Sequence, residues 1–288
     1  MDPRFTRMLK DANLSQIEDL LNEISAPAIG FELCRTAAES PPVSSKLGGN
    51  PDLPLGFDWP TNVERPLDFL MQVNLVDAHP FDAKRMLPTN GLLTFFYDLN
   101  DQPWGYDPNA LDGFQVVYHP STSDLRQHQL PNEKYRLAEH TLDFRFMETL
   151  PHYGSRAADR LLDRARLSER EAEAYLNLPT QMESWYFSKE ESGNHRLLGH
   201  SANIQDDMQL EAQLVTNGLY CGNTSGYDDP RRPALESGAD DWLLLLQLDS
   251  DPSAGLVWGD CGMLYCWIRR EELAQQQFEH IWMTIQCH

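Results

Sequence analysis

The chain has 288 residues, 41% of them hydrophobic, and 23 Lys plus Arg stand against 44 Asp plus Glu for a formal net charge of -21. So acidic a body repels phosphate backbones and anionic lipid headgroups, which argues against nucleic acid and membrane surfaces as partners and leaves a basic protein, a cation or solubility alone. No apolar run approaches the ~20 residues that cross a bilayer, and the amino end, Met-Asp-Pro-Arg-Phe-Thr-Arg-Met-Leu-Lys-Asp, lacks the apolar core of a signal peptide, so a cytoplasmic protein is expected. Cys34, Cys221, Cys261, Cys266 and Cys287 are odd in number and scattered, which is no disulfide framework. Cys261 and Cys266 would face opposite sides of one strand and could not share a metal.

Leu14, Ile17, Leu20, Leu21 and Ile24 fall on one helical stripe, and Ser15 with Glu18 has the spacing of a capping box, so a helix over 14–24 is expected, stopped by Pro27. Ile29, Phe31 and Leu33 then alternate with Gly30, Glu32 and Cys34 as in a strand half covered by core. From Lys46 to Pro60 the prolines and glycines rule out a regular element, while Leu47, Leu53, Leu55, Phe57 and Trp59 favour an ordered turn over a solvated linker. Four strand-like runs follow, Phe69–Leu75, Gly91–Tyr97, Phe114–His119 and Leu142–Leu150. Between Ser155 and Leu178 the pattern becomes helical with charges of alternating sign, and Ser168 with Glu171 predicts a capped second helix after a break near Leu167. Trp185–Lys189 is expected to be a short strand or edge. A helix over Met208–Val215 is closed by Asn217-Gly218. Trp242–Asp249 and Val257–Ile268 read as a buried hairpin with a polar tip, and a helix over Glu271–His280 precedes a last strand, Ile281–Cys287.

The two halves echo one another. Leu70-Met-Gln-Val-Asn matches Leu245-Leu-Gln-Leu-Asp, Gly91-Leu-Leu-Thr-Phe matches Gly262-Met-Leu-Tyr-Cys, and Lys46-Leu-Gly-Gly-Asn matches Arg196-Leu-Leu-Gly-His, all in the same order. We therefore expect an α+β fold of mainly antiparallel sheet, built from two pseudo-repeated halves with flanking short helices. The organisation expected is one domain over 1–288: an amino-terminal helix and strand to 44, a first half over 45–150, a charged helical insert over 151–190 and a second half over 191–288.

Six ordered blocks carry a family resemblance: Ser45-Lys-Leu-Gly-Gly with Leu53-Pro and Trp59-Pro, Phe69-Leu-Met-Gln-Val-Asn-Leu, Gly91-Leu-Leu-Thr-Phe-Phe, His195-Arg-Leu-Leu-Gly-His with Ile204-Gln, Leu244-Leu-Leu-Gln-Leu-Asp-Ser-Asp, and Trp258-Gly-Asp-Cys-Gly-Met-Leu-Tyr. Together they resemble the bacterial YwqG family over about Ser45 to Cys287. The resemblance implies a single α+β domain and carries no established activity and no catalytic residues.

No Gly-x-Ser-x-Gly elbow, Walker loop, dinucleotide fingerprint or His-Glu-x-x-His motif is present, so a non-catalytic protein is expected. The glutamines Gln72 and Gln247 interrupt apolar strands, and each must tie down backbone or read a ligand. If the two copies pack as a pair, Gln72, Asn74, Gln247 and Asp249 could share a cleft. Asp249, Asp251 and Asp260, with His195 or His200 and with Asp206 and Asp207, form the best acidic cluster, a Ca²⁺ or Mg²⁺ site or else a set of turn caps, the latter being commoner for Asp. Trp59 and Trp258, beside Pro and Gly, are suited to line a pocket or anchor a partner. We expect a binding protein without a cofactor, monomeric or homodimeric, whose loops Lys46–Pro60 and Asp249–Gly262 engage a basic protein such as a nuclease toxin. The rival expectation is a small-ligand or metal-binding protein or enzyme that uses Asp249, Asp251 and Asp260.

Overall fold

Runs such as Phe69-Leu-Met and Trp242-Leu-Leu-Leu-Leu are apolar on both faces, and strands of that kind need cover on both sides. The computed structural model, which describes residues 3–35, 40–187 and 193–288, supplies it. The amino-terminal part forms α1 (Pro3–Asp11), α2 (Glu18–Ile24) and β1 (Ala26–Arg35). Next come β2 (Lys46–Leu47), β3 (Asp52–Pro54), β4 (Asp68–Asn74), α3 (Leu75–Ala78), β5 (Leu92–Tyr97), β6 (Phe114–His119) and β7 (Leu125–Gln127). Then follow β8 (His140–Thr149), α4 (Arg156–Ala165), α5 (Glu169–Leu176), α6 (Leu178–Glu183) and β9 (His195–Leu197). The chain closes with α7 (Met208–Val215), α8 (Thr224–Tyr227), α9 (Arg232–Leu235), β10 (Trp242–Asp249), β11 (Met263–Arg269), α10 (Arg270–Ala274) and β12 (Trp282–Gln286).

Ten strands form one antiparallel sheet in the order β12-β11-β10-β9-β1-β8-β2-β4-β5-β6. Register shifts between Phe69 and Met71 in β4 and between Leu244 and Leu246 in β10 bend it. The edges β6 and β12 consequently approach each other: Phe114 meets Trp282 edge to face at 5.3 Å, and Ile285 N donates to Trp104 O at 3.2 Å from the loop ahead of β6. The sheet is thus nearly closed into a barrel. A second core joins α1, α2 and α4–α6 through Phe5, Leu9, Leu21, Leu161 and Tyr175, and a third packs the β3–β7 ribbon over Phe69 and Phe96.

The same hydrogen bonds recur around two glycine turns. Gln72 Oε1 accepts from Asp52 N at 2.9 Å while its Nε2 donates to Ser44 O at 2.8 Å; Gln247 Oε1 accepts from Ala202 N at 2.8 Å while its Nε2 donates to Asn194 O at 2.7 Å. Each glutamine directly follows its strand's register shift and is fully buried. The turns themselves are left-handed at Gly48 and Gly49 (φ 65° and 71°) and at Leu198 and Gly199 (61° and 77°), so a bulky residue sits in the second turn where the first has glycine. Replacing Gln247 with alanine strands a backbone N–H and a C=O inside the protein, and we expect about 2 kcal/mol less stability in a urea titration.

The predicted elements are corrected at several points, the first between 46 and 60, where the short strands β2 and β3 form although the prolines and glycines there argue against a regular element. Ser15 makes no cap: Ser15–Ile17 is a 3₁₀ turn ahead of α2, and Glu18 instead accepts from Thr6 Oγ1 at 2.7 Å, so the box is replaced by a tie to α1. Pro27 does not end that helix but lies inside β1, opposite Glu148, at a position where only β8 pairs with it. The helix expected over 271–280 breaks after Ala274, where Gln276 turns left-handed (φ 59°), and a 3₁₀ turn follows at Phe278–His280. Ser168 and Glu171 do form the capping box that starts α5. Of the short strand expected at 185–189, Ser184–Tyr186 is a 3₁₀ turn, and Ser188 and Lys189 lie outside the described residues.

Candidate functional site

Most of the polar residues singled out from the sequence are engaged with the protein itself. Lys46, 1% exposed, lies 3.3 Å from Asp52 Oδ2 and 3.7 Å from Glu139 Oε2. Asn74 caps α3 by accepting from Val76 N at 3.0 Å and donates Nδ2 to Val43 O at 3.0 Å. Between β4, which carries Gln72 and Asn74, and β10, which carries Gln247 and Asp249, stand β2, β8, β1 and β9. Each pair therefore serves its own turn, and the four do not share a cleft.

His195 is buried and stacked on Phe31, ring centroids 5.4 Å apart. Its Nδ1 accepts from Asp249 N at 3.0 Å, so the ring proton sits on Nε2, which faces Asp251 Oδ2 at 4.0 Å. Asp249 accepts from Asn194 N at 2.8 Å, and burial pushes its carboxyl up. Asp251 is held well below the usual carboxylate range by the His195 ring and the Ser253 hydroxyl, whose Oγ donates to it at 2.6 Å. Asp260 is exposed at the far side of the same loop. Among the described residues no group of three or more His, Cys, Asp or Glu side chains is placed to hold a metal ion. Trp59 is half-buried on Phe96 and donates Nε1 to Leu67 O at 2.8 Å, while Trp258 is fully buried against the edge of Tyr97.

The two loops singled out earlier do flank one feature. A Cβ at Gly48 would lie 2.5 Å from Ala138 O, and Gly255 approaches Leu137, so the Leu137–Glu139 segment stands between the Lys46 turn and the 250–262 loop. A groove of about 490 Å³ opens there, lined among others by Leu99, Gln102, Tyr135, Leu137, Val257 and Trp258. Gln102 fastens its rim by donating Nε2 to Val257 O at 3.0 Å and accepting from Gly259 N at 3.3 Å.

Beside this groove lies a surface that the motifs did not reveal. Trp104 (37% exposed), Tyr106 (37%), Tyr220 (40%) and Val257 (44%) come from three loops that touch: Tyr106 and Tyr220 meet edge to face at 5.6 Å, Cys221 N donates to Tyr106 O, and a Cβ at Gly259 would meet the Trp104 ring at 3.2 Å. Those loops also carry Asp101, Asp107 and Asp260, and Asp228 closes α8, the helix that follows Tyr220. The chain has no Lys or Arg between Arg85 and Arg126, between Arg196 and Arg231, or between Arg232 and Arg269, the three stretches that supply this face. That gap in the basic residues was the available signal.

Fold and face together define a mixed helix-and-sheet protein whose nearly closed antiparallel sheet carries its exposed aromatic and acidic residues on connecting loops. Residues 45–287 match the model of the family described as domain of unknown function DUF1963, and the chain belongs to that family. No curated protein matches it. No helix among the described residues is long and apolar enough to cross a membrane.

Proposed function

We propose that this protein is a YwqG-like, non-catalytic cytoplasmic protein-binding module that engages a partner with a basic surface, in the manner of an immunity-like inhibitor. The observation that carries the reading is the loop face around Trp104, Tyr106, Tyr220 and Val257, where exposed aromatic area coincides with Asp101, Asp107, Asp228 and Asp260 and with three long stretches free of Lys and Arg. Aromatic anchors set among carboxylates supply both the buried contact area and the steering that association with an oppositely charged protein needs. The buried glutamines add support of another kind, since residues bonded to backbone are scaffold and leave recognition to the loops. We further read the scaffold as an internal duplication, supported by the matched bonds of Gln72 and Gln247 and the matched order of their turns and strands.

Affinity capture from native extract at moderate salt should recover a basic protein on the wild type. A Tyr106→Glu, Asp107→Lys variant with an unchanged melting temperature should recover at least tenfold less, a loss of about 1.4 kcal/mol. Equal recovery on both, or no basic protein on the wild type, removes the reading.

A further inference from the structure

At the end of β10 and β11 opposite the 250–262 loop, a cavity of about 350 Å³ opens between the start of β1, the start of α4 and the turn after β9. Its inner wall includes Leu198, Trp242, Leu244 and Trp267, all at most 3% exposed, and the Trp267 indole N–H has no acceptor among the described residues. Its charged lining reverses the balance of the chain, with Lys84, Arg156, Arg160 and Arg270 against Glu23 and Asp240. Both carboxylates already have partners. Arg160 Nη2 lies 2.7 Å and Arg156 Nε 3.2 Å from Asp240, and Glu23 pairs with Arg164 at 3.1 Å. Lys84 and Arg270 make no ion pair among the described residues, and although Lys84 is close enough to the half-buried Glu148 to oppose the upward push of burial on that carboxyl, positive charge still outnumbers negative at the mouth in a chain whose net charge is -21. Burial, with smaller contributions from the nearby His152, Arg196 and Lys84, pushes His200 on the same wall down to about 4, so near pH 7 it is neutral and adds no further positive charge. The first turn of α4 (Ser155, Arg156, Ala157) also lines the cavity, and its backbone N–H dipoles favour a negative group there.

We propose that this cavity binds a small organic anion, a carboxylate or phosphate monoester carried on an apolar body. The anionic group sits among Lys84, Arg270 and the start of α4, and the apolar body lies on Trp242, Trp267 and Leu244. Size and lining match this class: the volume falls in the range of small-molecule sites, and an apolar wall with a few convergent polar groups is their usual construction. The site lies apart from the aromatic-acidic face, so it stands or falls independently of the proposed partner.

Calorimetric titration of the whole chain with phenyl phosphate and phenylacetate, with benzylamine as the charge control, tests it. At least one of the two anions should bind saturably at one to one and quench tryptophan fluorescence, while benzylamine should not. Binding of phenyl phosphate alone assigns the phosphate monoester, and binding of phenylacetate alone assigns the carboxylate. Lys84→Gln with Arg270→Gln neutralises two exposed side chains without adding a carboxylate beside Glu148; the variant should melt close to the wild type and bind the anion about tenfold or more weakly. Absence of saturable binding by both anions, benzylamine binding as well as they do, or undiminished affinity in the double variant overturns the proposal.

Discussion

Replacing Arg196 with methionine should lower the unfolding free energy by about 3–5 kcal/mol, the range for removing one partner of a buried ion pair. Arg196 is fully buried and donates Nη1 to Glu183 Oε1 at 2.6 Å and to His200 O at 2.9 Å, and Nη2 to Asn194 Oδ1 at 2.7 Å. Glu183, 2% exposed, also lies 2.9 Å from His152 Nε2 and accepts from Asn194 Nδ2 at 2.7 Å, and these partners hold its carboxyl well below the usual range against the opposing effect of burial. Without the guanidinium an ionised carboxylate is left between the helical insert and the sheet. Arg196→Met combined with Glu183→Leu removes both charges and should recover at least about half of the loss, because the pair repays its desolvation only when both members are present. Urea titrations of the two variants decide it. A single-variant cost under about 1 kcal/mol would show that the network contributes little.

Two further partly buried groups should pull stability in opposite directions across the same pH range. Burial raises Glu211 from 4.5 to about 7, although the Tyr227 hydroxyl donates to it at 3.3 Å. The folded state therefore binds this proton more tightly than the unfolded state, and stability falls as pH rises from about 4.5 to 7. Burial lowers His200 from 6.5 to about 4, so the folded state resists protonation there and stability falls as pH drops from about 6.5 to 4. Each shift corresponds to about 3 kcal/mol at full development. Glu211→Gln should therefore stabilise the protein by about 2–3 kcal/mol at pH 8 and leave it unchanged at pH 4.5, whereas His200→Gln should gain relative to the wild type as pH falls from 6.5 to 4. Denaturant titrations of the three proteins between pH 4 and 8 check both slopes; parallel curves would refute the assignments.

The strands β4, β5, β10, β11 and β12 were legible because largely continuous apolar runs mark strands covered on both faces, and β1, β6 and β8 because apolar residues alternate along them. Strands β2 and β9 were not, since each places a cation, Lys46 or Arg196, in the middle of the sheet, and its acid, Glu139 or Glu183, comes from another part of the chain. Helix α1 escaped because only Phe5 and Leu9 of its nine residues are buried, too few to set a period. Gln72 and Gln247 could be paired by their place in similar strands, but their separate turns could not be foreseen without the strand order. The aromatic face was the least legible feature, because Trp104, Tyr220 and Val257 are more than thirty positions apart and meet only once the barrel has curled.

The central position of β1 has a consequence for how the chain is made. Both of its neighbours in the sheet, β8 and β9, are encoded far downstream: from Arg35 to its partner His140 is 105 positions, and Phe31 waits for His195. During synthesis this largely apolar segment leaves the ribosome with unpaired edges on both sides and must stay that way until more than a hundred further residues have emerged. The topology thus postpones the middle of the sheet until its flanks exist, a non-local arrangement of the kind that slows folding and leaves strand edges open in the meantime.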